Sequence, residues 1–168
     1  MKKRYNVIIV FVICLIDQLV KFMIAKNFVP YEKLVLIKNF FKIEYVKNTG
    51  ISFGMLGGQK LIIILISMII IAFMIYDLIK SDSKLHSAAC TLIISGALGN
   101  LVDRIIRGYV VDYLSFTIMK KDLAIFNIAD ICVTVGVLLY VLYVFIGNKE
   151  EDEEDEDEDI DSEWKWQF

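Results

Sequence analysis

The stretch LIIILISMIIIAFMIYDLI, residues 61–79, contains one acidic side chain and no basic one. A helix needs about 20 mostly apolar residues to cross the hydrocarbon core of a bilayer. This stretch therefore predicts a transmembrane helix and places the chain among membrane proteins. The whole composition agrees, because 57% of the 168 residues are hydrophobic and only one is proline.

Three further segments predict spanning helices, at residues 7–25, 85–106 and 127–146. The first follows basic residues at 2–4 but lacks a small-residue cleavage site, so we interpret it as a retained helix and not a signal peptide. The segment 85–106 is rich in Ala, Gly and Ser, which lets helices approach closely in lipid. The sequence thus predicts a mainly α membrane protein with four transmembrane helices.

The segment 27–60 between the first two spans is too polar to cross a membrane. Residues 34–37 and 41–46 have the composition of short strands, and Asn-Thr-Gly at 48–50 is a turn signal. Residues 108–116 predict a further extended segment. We expect a small extracytoplasmic β-sheet between helices 1 and 2.

The C-terminal end of the chain differs sharply in composition from the rest. Residues 150–161 read EEDEEDEDEDID and carry eleven acids. Without residues 150–168 the chain has 17 basic and 9 acidic residues, a net charge of +8. Such an acidic segment cannot bury enough apolar surface to fold alone. We expect a membrane domain at 1–149 and a disordered cytoplasmic tail at 150–168.

The basic residues give two opposite indications of orientation. The cluster at residues 2–4 favours a cytoplasmic N-terminus by the positive-inside rule. Residues 26–60, between the first two spans, oppose it, because they carry six lysines, whereas the loop between spans two and three carries two. Charge alone therefore leaves the orientation open.

Each ionisable residue inside the predicted spans has a structural interpretation and a functional one. A carboxylate or amine at the centre of a spanning helix costs about 2.5–3.5 kcal/mol on insertion scales, so it usually has a partner or a function. Asp17 and Lys21 are four residues apart and can pair on one helix face. Asn100 and Asp103 also share a face, and Arg104 lies beside it, near enough to keep Asp103 charged or to contact lipid phosphates.

Two aspartates lie outside these groups, Asp112 and Asp130. Asn127 and Asp130 have the spacing of a capping box, so Asp130 can simply start the fourth helix. Asp112 lies in a strand-like run and can simply be exposed at the surface. The alternative for both is a functional pair of carboxylates.

Other kinds of chemistry lack their residues in this sequence. The chain has a single histidine, His86, at the opposite end of the third span from the GNLVDR stretch at 99–104, and no nucleophile motif accompanies it. Cys14, Cys90 and Cys132 are scattered in apolar runs, and a zinc site needs more ligands than these. The sequence predicts neither a metal nor a cofactor. If the protein is an enzyme, two aspartates that share one proton are the remaining means of catalysis.

Five motifs in order resemble one family, the lipoprotein signal peptidases (signal peptidase II), which are bacterial membrane aspartic peptidases. They are DQLVK at 17–21, NTGISFG at 48–54, GNLVDR at 99–104, GYVVDY at 108–113 and FNIAD at 126–130. The resemblance covers about residues 5–147. It implies that Asp112 and Asp130 form the catalytic dyad.

The resemblance also implies a substrate and a location. The substrate is a diacylglyceryl-modified prolipoprotein, cleaved on the N-terminal side of its lipidated cysteine by a water that the dyad activates, without metal or cofactor. The resemblance implies both termini in the cytoplasm and a site at the outer face of the bacterial cytoplasmic membrane. We expect a monomer among membrane lipids, with no nucleic-acid partner. The residues expected to line the site are Asn48, Gly50, Gly54, Asn100, Arg104 and Asn127. Those expected to have a structural role are Asp17, Lys21 and Asp103.

Two other functions compete with this one. A small proton-coupled transporter would use intramembrane carboxylates too, but it needs a polar path across the bilayer. The predicted polar groups instead cluster toward one end of the spans. A non-catalytic scaffold whose tail recruits a basic partner would lose its function when residues 150–168 are deleted.

Overall fold

The computed structural model describes residues 3–50, 59–80, 83–119 and 121–164, with side chains as far as residue 146. The helices are α1 (Lys3–Asn27), α2 (Lys60–Lys80), α3 (Lys84–Ile106) and α4 (Ile128–Trp164). The strands are β1 (Lys33–Ile37), β2 (Phe41–Asn48), β3 (Val110–Ile118) and β4 (Lys121–Asp122).

Within these ranges, four helical stretches are long and apolar enough to cross a membrane: Arg4–Asn27, Lys60–Lys80, Lys84–Ile106 and Ile128–Ile146. They confirm the four predicted spans. In α3, 61% of the apolar stretch is buried inside the protein, against 17%, 17% and 11% in α1, α2 and α4. Helix α3 is therefore the centre of the bundle, and the other three helices turn most of their apolar side chains outward, as a lipid environment requires.

Helices α3 and α4 pack closely through glycines. A Cβ atom at Gly96 would lie 2.2 Å from the carbonyl oxygen of Ala129, and one at Gly136 would lie 2.9 Å from that of Ala89. Both distances are shorter than any ordinary contact, so only glycine allows this approach. The small residues predicted to bring helices together thus set the distance between α3 and the start of α4.

The strands form one antiparallel sheet in the order β1-β2-β3-β4. Strands β1 and β2 lie between α1 and α2, as predicted, and the predicted extended segment after α3 supplies β3. The sheet therefore joins the two connections on the same end of the bundle. In the β2–β3 register, Val46 pairs with Asp112 and Asn48 with Val110. This pairing brings the end of β2 beside Asp112.

Helix α4 is longer than its predicted span. It continues beyond residue 146 through the acidic segment to Trp164, where the composition predicts disorder. Glutamate has a high intrinsic helix propensity, which a composition argument does not weigh, although like charges four residues apart oppose a helix. The division of the chain at residue 149 stays a prediction, because the helix crosses it.

Candidate active site

Asp112 and Asp130 lie on the wall of one cavity of about 580 Å³, at the end of the bundle that carries the sheet. Asp112 comes from β3 and Asp130 from the first turn of α4. The other polar residues on the cavity wall are Asn48, Ser67, Asn100, Arg104 and Thr134, and most of the remainder of the wall is apolar. The structure thus brings together the two aspartates that the sequence separates by eighteen positions.

Asp112 is buried, with 3% of its surface exposed. Its Oδ2 accepts a hydrogen bond from Asn48 Nδ2 at 2.8 Å, and its Oδ1 accepts one from Asn127 Nδ2 at 2.7 Å. The alternative of a simply exposed surface carboxylate is therefore wrong. Burial, reinforced by the charge of Asp130, raises the pKa of Asp112 to about 7, while the two amide hydrogen bonds oppose that rise.

Asp130 both caps its helix and faces the cavity. Its backbone N–H donates to Asn127 Oδ1 at 3.0 Å, and the backbone N–H of Asn127 donates back to Asp130 Oδ2 at 3.1 Å. This is the predicted capping box. The second carboxylate oxygen of Asp130, Oδ1, accepts a hydrogen bond from Asn100 Nδ2 at 2.8 Å. Capping therefore occupies only one oxygen, and the other belongs to the cavity.

Asn127 contacts both aspartates. Its side-chain Nδ2 donates to the Asp112 carboxylate, and its backbone N–H donates to the Asp130 carboxylate. The same Nδ2 also lies 3.2 Å from Asn100 Oδ1. Because one residue contacts both acids, a shift of either acid disturbs the hydrogen bonds of the other.

A buried ion network lies directly behind this site. Lys21 Nζ lies 2.9 Å from Asp17 Oδ2, 3.1 Å from Asp103 Oδ2 and 3.0 Å from Asn100 Oδ1. The side chains of Lys21, Asp17 and Asp103 are 0–1% exposed. The predicted Asp17–Lys21 pair is present, and it extends across α1 and α3 to a residue that contacts Asp130.

The two acids of this network also position backbone beside the cavity. Asp17 Oδ1 accepts the N–H of Ala129 at 3.1 Å, and Asp103 Oδ2 accepts the N–H of Val111 at 3.1 Å. Ala129 and Val111 immediately precede Asp130 and Asp112. These contacts give the geometry of the structural role expected for Asp17, Lys21 and Asp103.

The arginines differ from the sequence expectation. The cation that pairs with Asp103 is Arg107, one helical turn further on, as well as Lys21. Arg104 instead donates from Nη2 to the carbonyl oxygen of Gly50 at 2.9 Å and lines the cavity. The four-residue spacing of Asp103 and Arg107 is the signal that could have identified Arg107, since it is the same spacing as in Asp17 and Lys21.

The predicted turn after β2 includes two further residues that the sequence placed at the site, Asn48 and Gly50. Gly50 N–H donates to Asn48 Oδ1 at 2.9 Å, so the turn fixes the side chain that contacts Asp112. Gly54, also expected at the site, lies outside the described residues.

Residues 9–146 match the model of a family described as Signal peptidase (SPase) II. Proteins named lipoprotein signal peptidase are similar over most of their length. The one from Halothermothrix orenii is 39% identical over 143 residues, covering 84% of this chain and 96% of the relative. The one from Clostridioides difficile is 40% identical over 143 residues, covering 83% of this chain and 93% of the relative.

Two solved structures, both described as bacterial membrane enzymes, share the fold. One was solved by the in meso method at 2.3 Å resolution; it has a TM-score of 0.80 and 30% sequence identity, and the match covers 87% of this chain and 90% of that one. The other, solved at 1.9 Å, has a TM-score of 0.75 and 31% identity, and the match covers 83% of this chain and 92% of that one.

Replacing Lys21 with methionine should destabilise the fold by roughly 3–5 kcal/mol, because removal of one partner leaves a buried charge unpaired. The second substitution Asp17→Asn should recover part of this loss. It removes the unpaired charge and leaves Asp103 paired with Arg107. Denaturant unfolding of the purified protein in detergent measures the single variants and the double variant as a cycle. Wild-type stability in Lys21→Met, or strictly additive losses in the double variant, would contradict this network.

Proposed function

The chain belongs to the signal peptidase (SPase) II family, and from this premise we propose that it cleaves prolipoproteins with Asp112 and Asp130 as its catalytic dyad. It is an aspartic peptidase that removes signal peptides from prolipoproteins, and it is a multi-pass membrane protein. The observation that carries the dyad assignment is that Asn127 contacts both acids: its side-chain Nδ2 donates to the buried Asp112 carboxyl, and its backbone N–H donates to the helix-capping Asp130 carboxyl. The transporter alternative is not favoured by the family.

Two carboxyl groups that line one cavity and repel each other electrostatically favour one proton between them. The pKa of Asp112 near 7 leaves about half of this carboxyl protonated at neutral pH, and Asp130 lies at a helix N-terminus, where the helix dipole favours negative charge. One group is then a general acid and the other a general base. This division of roles is what peptide hydrolysis by a bound water requires.

The reaction then follows from proton positions. The ionised carboxylate removes a proton from water as the water oxygen attacks the peptide carbonyl, and the protonated carboxyl donates its proton to the developing oxyanion, giving a neutral diol. On collapse, the carboxyl that took the proton from water passes it to the leaving amine, the other carboxylate takes a proton from a diol hydroxyl, and the C–N bond breaks. Arg104 places a positive charge on the cavity wall, where it favours negative charge that develops on the substrate. Asn48, Asn100 and Asn127 hold the two carboxyls in place throughout.

The cavity suits a lipid-bearing peptide. Its polar groups gather around the dyad, whereas the rest of its lining includes apolar residues of β3, α4 and the segment before α4: Val110, Ala124, Ile125, Phe126, Ile131, Val133 and Val135. An apolar wall beside a polar centre fits a diacylglyceryl-cysteine with its peptide bond at the dyad. We infer cleavage on the N-terminal side of that cysteine, by a monomer surrounded by membrane lipids.

The substitution Asp130→Asn tests the dyad, because asparagine keeps the shape and the cap but removes the titrating acid. Cleavage of a diacylglyceryl-modified precursor by purified Asp130→Asn and Asp112→Asn should fall by about 10²–10⁴-fold, the usual contribution of an acid or base. The matched control is Asp122→Asn, an exposed acid in β4 that should cleave at the wild-type rate. Thermal unfolding of all variants shows whether each one is folded.

Two results would refute the dyad. Near-wild-type cleavage by either folded variant would remove that residue from the chemistry. An equal loss in Asp122→Asn would show that any change of charge on this end of the molecule impairs the enzyme.

The location follows from the side of the membrane on which the substrate is processed. We infer that the dyad and the sheet lie at the outer face of the bacterial cytoplasmic membrane and that both termini are cytoplasmic. A cysteine placed at Met119, which is 93% exposed beside β3, should react with a membrane-impermeant maleimide in intact spheroplasts. A cysteine placed at Lys84, at the start of α3, should react only after permeabilisation. The reverse pattern would refute this orientation.

A further inference from the structure

A second group of polar side chains lies at the end of the bundle opposite the dyad. Asp77 belongs to α2, and His86 and Cys90 to the first turns of α3. His86 Nε2 lies 2.7 Å from Asp77 Oδ2, and Cys90 Sγ lies 3.7 Å from that same oxygen and 3.6 Å from Nε2. We propose that these three side chains bind one Zn²⁺ ion, independently of the peptidase reaction.

The spacing of the three atoms is close to that of a tetrahedral zinc site. Zinc binds thiolate sulfur at about 2.3 Å and imidazole nitrogen or carboxylate oxygen at about 2.0–2.2 Å. Tetrahedral angles then separate sulfur from either lighter ligand by about 3.5–3.6 Å, and nitrogen from oxygen by about 3.3 Å. The two sulfur distances already agree. Only His86 and Asp77 would move apart, by about 0.6 Å on this geometry.

The charges also suit a buried divalent ion. Zinc bound by the Asp77 carboxylate, the Cys90 thiolate and a neutral His86 has no net charge, which lowers the cost of a low-dielectric site. His86 and Cys90 are 2% and 0% exposed. As the Zn–S bond forms, the thiol proton leaves to water. Asp77, whose side chain is 22% exposed, provides the route for both ion and proton.

Neighbouring aromatic residues on α4 support the ligands. Tyr140 donates its hydroxyl hydrogen to Asp77 Oδ2 at 2.8 Å, and the ring of Tyr143 lies 4.8 Å from that of His86. Hydrogen bonds of this kind orient metal ligands and tune their basicity. An ion at this position would join α2 and α3 next to a residue of α4, and a water can complete the fourth position.

The sequence predicted no metal because one histidine and scattered cysteines do not form a ligand set. His86 and Cys90 are, however, four residues apart on one helix face, and the third ligand comes from another helix. The three ligands together therefore do not follow a spacing that can be recognised in the sequence.

Metal binding to the whole purified chain in detergent, after chelator treatment, tests the site. Zn²⁺ is titrated against a chromophoric chelator, and Co²⁺ replaces it as a spectroscopic probe of the thiolate. The wild type should bind one ion and show a thiolate-to-cobalt charge-transfer band. Cys90→Ser should lose the band and bind Zn²⁺ at least tenfold more weakly. Asp77→Asn should also bind Zn²⁺ at least tenfold more weakly. The matched control Cys132→Ser should keep both properties.

Retained cleavage of a prolipoprotein shows that each variant is folded, since the ligands lie far from the dyad. The proposal is overturned if the wild type shows no stoichiometric binding or no charge-transfer band. It is equally overturned if folded Cys90→Ser keeps the band, or if Cys132→Ser loses it. Any of these results would mean that Asp77 and His86 form only a hydrogen-bonded pair.

Discussion

The buried ammonium of Lys21 is the constraint on which the active-site end of the molecule depends. A fully buried amine is unfavourable unless carboxylates and hydrogen-bond acceptors surround it, and Lys21 has two carboxylates and one amide oxygen. Each carboxylate also accepts a backbone N–H from the residue that precedes one of the two proposed dyad aspartates. The ion network therefore holds strand β3 and the start of helix α4 in fixed positions relative to each other. The contacts that stabilise the buried charge of Lys21 are therefore also the contacts that position Asp112 and Asp130.

Local sequence patterns predicted the structural features that depend on interactions between residues close together in the chain. The four spans follow from apolar length, the Asp17–Lys21 pair from helical spacing, and the Asn127–Asp130 cap from a short motif. The pairing of β2 with β3, which brings Asn48 to Asp112, depends on contacts 64 residues apart. Contacts between residues so far apart in the chain produce no spacing pattern that the sequence would reveal. The resemblance to a family, and not periodicity, put Asp112 and Asp130 in one site.

The FNIAD motif shows why a structural and a functional interpretation can both be correct. A carboxylate has two oxygens, and in Asp130 one accepts the cap hydrogen bond while the other faces Asn100 and the cavity. The helix N-terminus that the cap completes also favours negative charge. The features that make Asp130 an ordinary helix start are thus compatible with the role of base that we propose for it beside Asp112.

Infrared titration of the purified enzyme, with its aspartates isotopically labelled, tests the shared proton most directly. Because the pKa of Asp112 is raised, the folded protein should keep a protonated aspartic acid well above pH 4 and lose it as the pH rises through about 7. The carboxylic C=O stretch should disappear over that range in the wild type and be absent from it in Asp112→Asn. A wild-type signal that is already gone below pH 5, or one that survives unchanged in Asp112→Asn, would contradict the assignment of an acid and a base to this pair.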